Sequence, residues 1–211
     1  MKKEYISIIL AMIIFSFAVA FKAILTKQGI PTIVLFSLAA IVAITISIFS
    51  KKLAAYYFEI KIEHKIWQWE RYGLRKNQHL EKQLSMGILA PFVIALVSFG
   101  NFIIGTLLEF EAESLTSRVS KRHDIFKFTE LTEIHLGLIA AAGVFANLLF
   151  AVIAYILGIQ EFAKISIYFA FWSIVPFSNL DGAKIFFGNR TLWAITSTIT
   201  IIFLLYAIFL P

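Results

Sequence analysis

Apolar residues run along this chain in six long stretches: Tyr5–Phe21, Thr32–Phe49, Met86–Leu108, Leu136–Gly158, Phe162–Phe177 and Thr191–Leu210. Mostly apolar runs of roughly 17–25 residues have the length of a helix that crosses a bilayer. The pattern predicts an all-α polytopic membrane protein with five or six transmembrane helices. The third stretch differs from the others. It holds Pro91, Gly100 and Gly105, which suit an irregular segment, and such a segment must be buried in protein or line a cavity. Residues 99–133 read as strand-like pieces around a polar loop. Phe99–Phe110 is rich in β-branched and aromatic residues, Glu111–Asp124 is polar, and Ile125–Ile134 partly alternates. The expectation is a helical core with a small strand-containing element, re-entrant or at the membrane surface.

Loop charges discriminate between six crossings and five. With the N-terminus inside and six crossings, the inside holds Lys2, Lys3, Lys164 and the eight basic residues of 51–82, 11 in all, against 8 outside. If Met86–Leu108 dips in without crossing, the inside holds 16: Lys2, Lys3, the twelve basic residues of 51–127, Lys184 and Arg190. The outside keeps only Lys22, Lys27 and Lys164. Cytoplasmic loops carry the excess of Lys and Arg, which favours five spans with the N-terminus in the cytoplasm of a multi-pass cell-membrane protein. The ends of Thr32–Phe49 and Phe162–Phe177 then face the same, cytoplasmic, side. The mixed-charge loop 51–82, with Trp67, Trp69 and Tyr72, reads as interfacial anchoring.

Composition supports the class. The 211 residues are 60% hydrophobic with 22 Phe and only 15% charged, which no soluble domain of this size requires. Cysteine is absent, so disulfides and thiolate zinc sites are excluded. The net charge of +6 does not indicate nucleic acid, because the basic residues flank apolar spans instead of forming one soluble patch. Lys2 and Lys3 before Tyr5–Phe21, with Ala18-Val19-Ala20 near its end, fit either a cleaved signal peptide or a retained first helix. The retained helix is the preferred reading, because the run is long enough for a short span. The chain reads as one membrane domain: a leading helix and loop over 1–31, a core over 32–190, and a C-terminal helix over 191–211. A transporter or channel is disfavoured by the lack of an inverted hydropathy repeat and by few intramembrane charges.

One acid stands out. Asp181, in Pro176-Phe177-Ser178-Asn179-Leu180-Asp181-Gly182, ends an apolar segment, where a carboxylate is costly and marks a functional position by default. A turn or helix cap at the membrane surface is the plainer reading, since Asn-Leu-Asp-Gly is also turn chemistry. Pro176 would end or kink its helix and free carbonyls near Asp181. Gly182 would permit close approach or a left-handed backbone. Small residues over 140–146 would admit a neighbouring backbone. Asn147 would hydrogen-bond across helices, as packing or as substrate positioning.

Gly143-x-x-x-Asn147, followed by Pro176-x-x-x-Leu180-Asp181-Gly182 and then Ala183-Lys184-Ile185-Phe186-Phe187, resembles the site-2 protease family of intramembrane zinc metalloproteases, most of all its small archaeal members. The likeness spans roughly residues 32–195. The family carries a helix with H-E-x-x-H, a helix with G-P-x-x-N, and a helix ending in N-x-x-P-x-x-x-L-D-G. It holds zinc with both histidines and the aspartate, and the glutamate takes a proton from zinc-bound water. The resemblance implies that Asp181 is an inherited ligand position.

The chain has no H-E-x-x-H. The flanks Lys52–Phe58 and Ile62–Trp69 place the motif positions at Ser47, Ile48 and Lys51, where an alkyl group and an ammonium replace the base and one imidazole. Val144 and Ser173 also depart from the family pattern. His64 reads as an interfacial or surface residue and His135 as a helix start; His79 and His123 complete the set, and none has a histidine four residues away. The resemblance therefore implies a degenerate, inactive homologue that needs no cofactor and retains a groove for transmembrane client segments. An extended client would be recruited by strand addition at 99–110. Lys51 is expected to pair with Asp181 in the place of zinc. The alternative is an active intramembrane zinc metalloprotease cleaving transmembrane substrates through unorthodox ligands.

Overall fold

The computed structural model describes residues 2–71, 79–114 and 132–209. Helix α1 (Lys2–Leu25) turns at Lys27 into α2 (Ile30–Tyr57), which opens with Pro31 in its first turn. Proline fits there because the first helical N–H groups have no partner to lose. Lys52 near the end of α2 pairs with Glu4 near the start of α1 at 2.7 Å, so the two helices run antiparallel. α2 continues two turns past the apolar run that ends at Phe49. Those turns were read as loop, but Lys51 is buried and Ala55 joins the core, so packing holds them helical.

After Phe58 the chain turns through Glu59 (φ 56°) into strand β1 (Ile60–Ile66). Strands β2 (Trp69–Arg71) and β3 (His79–Leu84) pair antiparallel, and helix α3 (Met86–Val97) follows. Twelve residues of helix reach about 18 Å, well short of the ~30 Å hydrocarbon layer. The chain then reverses at Phe99 and Gly100, both with positive φ. A Cβ on Gly100 would lie 2.6 Å from the Lys22 backbone nitrogen, so the reversal sits directly on α1. Residues 101–107 return without regular structure to strand β4 (Leu108–Ser114). β4 pairs antiparallel with β1, from Ile60 opposite Ser114 to Ile66 opposite Leu108.

The strand expected over Phe99–Phe110 therefore starts only at Leu108 and runs into the segment read as polar loop. The reason is visible in Leu108-Glu109-Phe110-Glu111-Ala112-Glu113, whose alternation fits a half-buried strand better than β-branched content does. Most of Ile125–Ile134, and the centre of the polar loop, lie outside the described residues. Thr132 precedes helix α4 (Glu133–Ile156), not a strand.

α4 is the central helix. Its small buried residues Gly137, Ala140, Ala141 and Gly143 let it pack closely on α2, on α5 (Gln160–Ile174) and on α6 (Asp181–Gly188). Helix α7 (Arg190–Phe209) packs on α5 and α6. Among the described residues four helices, α1, α2, α4 and α7, are long and apolar enough to cross a membrane. Their outer faces expose large apolar side chains such as Ile9, Ile13, Leu149, Ile156 and Ile202. So much exposed apolar surface identifies a helical membrane protein.

Candidate functional site: a buried ion pair under a two-stranded lid

Asp181 is the first residue of α6, where the positive end of the helix dipole favours a carboxylate. Pro176 lies beyond the end of α5 at Ile174, and Ser178 adopts φ 52° in the turn. The freed Ile174 carbonyl accepts the Trp193 indole N–H at 3.1 Å. Gly182 serves close approach: a Cβ there would lie 2.3 Å from the Ile174 oxygen and 2.4 Å from that of Val175.

Lys51 reaches Asp181 from α2. A Cβ on Gly143 would lie 2.6 Å from Lys51 Cε and 2.9 Å from Ser47 Oγ. The bare glycine thus leaves a channel along α4 for the lysine stem. Lys51 Nζ donates to Asp181 Oδ2, and the two side chains are only 5% and 7% exposed. Charges this buried must be paired to be tolerated.

The β1–β4 sheet covers the pair. Its inner face carries His64 and Phe110, directly opposite each other in the register. Lys51 Nζ lies 5.8 Å from the Phe110 ring centroid. Lys184 Nζ lies 3.5 Å from the same centroid and donates to the Phe110 carbonyl. His64 is 1% exposed. Its N–H donates to Glu4 Oε1 at 3.3 Å, and its Nδ1 lies 3.4 Å from the same oxygen. Burial, and then the nearby Lys51 charge, push the His64 imidazole down to about 4. Burial likewise pushes the Lys184 ammonium down to about 8.

The structure brings together Ser47, Ile48, Lys51, Ser173, Leu180 and Asp181, which line one small cavity of about 20 Å³ with His64. That is room for about one water molecule. Asn147 lies one turn beyond Gly143 and does not line it. The cross-helix bond expected of Asn147 is not made: its Nδ2 donates to the Gly143 carbonyl of its own helix at 3.1 Å. Ser173 likewise bonds back to Phe169, at 3.0 Å.

The surface reading of His64 is overturned. It continues the inward alternation of Ile60 and Ile62, a signal present in the sequence. Trp67, read as an interfacial anchor, is also buried and packs edge-on against Phe177. Glu4, an acid beside an apolar run, carries the same signal in the sequence as Asp181. His135 opens α4 as expected, in contact with Thr132 and Phe58. His123 lies outside the described residues.

Zinc fits this donor set poorly. Among the described residues no group of three His, Cys, Asp or Glu could hold a metal ion. His64 Nε2 and Asp181 Oδ1 are buried and without hydrogen-bond partners, but an ammonium already holds the second carboxylate oxygen. A search against family models, curated proteins and solved structures finds no match to this chain.

Proposed function

We propose that this chain is a catalytically degenerate, site-2-protease-like membrane protein that binds segments of other membrane proteins without hydrolysing them. The observation that carries this reading is the buried pairing of Lys51 with Asp181. Lys51 occupies the position where the family resemblance implies a zinc-binding histidine, and its ammonium supplies the positive charge that the metal would bring. Hydrolysis needs a polarising cation with an open position and a base for the water. An ammonium offers no coordination site, and Ile48 cannot accept a proton. The proposed topology has five spans with the N-terminus in the cytoplasm. Support comes from the loop charges, which assign α5 as the fifth span although its 15 residues make it shorter than the four long helices. The lipid bilayer and transmembrane client segments are the proposed partners.

Zinc content tests the reading. Purified wild-type protein should carry far less than one zinc per chain. The variant Ser47→His, Ile48→Glu, Lys51→His should take up about one, and lose it on Asp181→Ala. One observation favours the rival, an active zinc metalloprotease with unorthodox ligands: the unpartnered His64 Nε2 and Asp181 Oδ1 line the same cavity. Stoichiometric zinc in the wild type, lost in either His64→Ala or Asp181→Ala, together with zinc-dependent cleavage of a transmembrane substrate, would establish the rival.

A further inference from the structure

The turn between α1 and α2 lies at the end of the molecule opposite the Lys51–Asp181 pair. Beside it is a second cavity, of about 600 Å³, lined in part by Lys22 and Gln28. Ordinary ligand pockets hold roughly 300–1,000 Å³. The cavity forms where no full-length helix fills the bundle. α3 ends at Val97, the chain reverses at Phe99 and Gly100 against Lys22, and residues 101–107 return without regular structure. Val19, Phe36, Ile165, Phe171, Trp172 and Leu204 wall the space beside that return. Phe102 and Ile208 also line it and are 69% and 58% exposed, so the mouth opens on the apolar outer surface. An apolar space of this size suits an acyl chain better than water. Water among apolar side chains finds too few polar partners, whereas a chain gains dispersion contacts with the walls.

Charge at the rim selects which amphiphile. Lys22, in the last turn of α1, and Lys164, on α5, both line the cavity. Among the described residues Glu161 is its one lining carboxylate, 3.9 Å from Lys164. Two ammoniums against one carboxylate leave one positive charge over, the complement of a single phosphodiester. Positive charge is otherwise scarce at this end. The loop-charge topology leaves only Lys22, Lys27 and Lys164 on the outer face, and two of the three meet here. Tyr168 adds a hydroxyl to the same lining.

We propose that this cavity binds one anionic phospholipid, with an acyl chain between α1 and α7 and the phosphate held by Lys22 and Lys164. The site is independent of the protease-like reading and asks only that the chain be a membrane protein. Transfer of the acyl chain from bilayer to cavity is close to even, because both are apolar. Selectivity therefore rests on the headgroup, where each lysine near a phosphate contributes about 1 kcal/mol, or roughly fivefold in affinity. Glu161 opposes the same phosphate.

The test is native mass spectrometry of the full chain in detergent, with phosphatidylglycerol or phosphatidylcholine of identical acyl chains added. One phosphatidylglycerol per chain should bind roughly twentyfold more tightly than phosphatidylcholine. Lys22→Gln should lower that preference roughly fivefold, and Lys22→Gln with Lys164→Gln should abolish it. Glu161→Gln should raise it. Ile208→Trp, at an exposed position on the mouth, should weaken both lipids alike. Inorganic phosphate and glycerol 3-phosphate should not displace the lipid. Equal binding of the two lipids by the wild type would overturn the proposal, as would a preference that survives in the double variant. Displacement by inorganic phosphate would show a simple anion site and overturn the lipid. One-for-one displacement by an uncharged apolar helical peptide would assign the cavity to a protein helix and overturn it too. If the double variant does not fold, Lys22→Gln and Glu161→Gln decide, and an unchanged preference in both overturns the site.

Discussion

The site rests on the Lys51–Asp181 pair, on the bare Gly143 beside it and on His64, and each yields a test. Removing one partner of a buried ion pair strands the other, at a cost of about 3–5 kcal/mol, whereas replacing both is nearly neutral. Lys51→Met and Asp181→Asn should each destabilise by that order, and the double variant should recover most of the loss, read by unfolding in mixed micelles. Gly143→Ala pushes a methyl to 2.6 Å from Lys51 Cε and 2.9 Å from Ser47 Oγ. The lysine must yield, and a loss of about 1–3 kcal/mol is expected. His64 adds a pH dependence. Its imidazole sits at about 4 when folded, against ~6.5 when unfolded. Below pH 6.5 the unfolded chain takes up a proton that the folded chain refuses, so stability falls as pH drops from about 6.5 towards 4. Between pH 7 and pH 5 the loss should be on the order of 2 kcal/mol, and His64→Gln should abolish it. Asp181 is legible because charge at the end of an apolar run has a high cost, whereas Lys51 is singled out only by the family resemblance. For His64 the alternation with Ile60 and Ile62 gives its face of β1, but that this face is the buried one is set by a partner strand more than forty residues away.

At the scale of elements, glycine contacts with backbone are less forgiving than contacts with side chains. Gly182→Ala would place a methyl 2.3 Å from the Ile174 oxygen, and neither helix can yield without moving the other. The substitution should separate α6 from the end of α5, withdraw Asp181 from Lys51, and destabilise by roughly 3 kcal/mol or more. A companion substitution, Gly158→Ala, meets no atom within 4 Å, although its φ of 78° adds local strain. It should leave the ion pair intact, so comparing the two separates packing from backbone strain. The long apolar helices were readable from run length alone. The end of α2 was not, because Lys51 and Lys52 look like a loop until their partners Asp181 and Glu4 are known. The start of β4 shows in the alternation from Leu108 to Glu113 and not in the β-branched content before it.

For the whole molecule, the proposed orientation predicts labelling of single cysteines placed in this cysteine-free chain. An impermeant maleimide added outside intact cells should reach positions 27 and 164, and positions 3, 61 and 190 only after lysis. Reaction of 61 and 164 from the same side would defeat the five-span arrangement. The helical membrane class was accessible from sequence because lipid imposes coarse rules on the length of apolar runs. Helix contacts were not, since they depend on which small residues meet. The pairing of Lys51 with Asp181 spans 130 positions, and this has a consequence for biosynthesis. Chains elongate at about 5–20 residues per second. α2 is therefore made, and its lysine left without a counter-charge, for roughly 6–26 seconds before its partner leaves the ribosome. During that interval the ammonium must stay with water or lipid headgroups at the bilayer surface. Burial of Lys51 thus marks the completion of assembly, and a chain truncated before α6 should present that lysine, unburied, to membrane quality control.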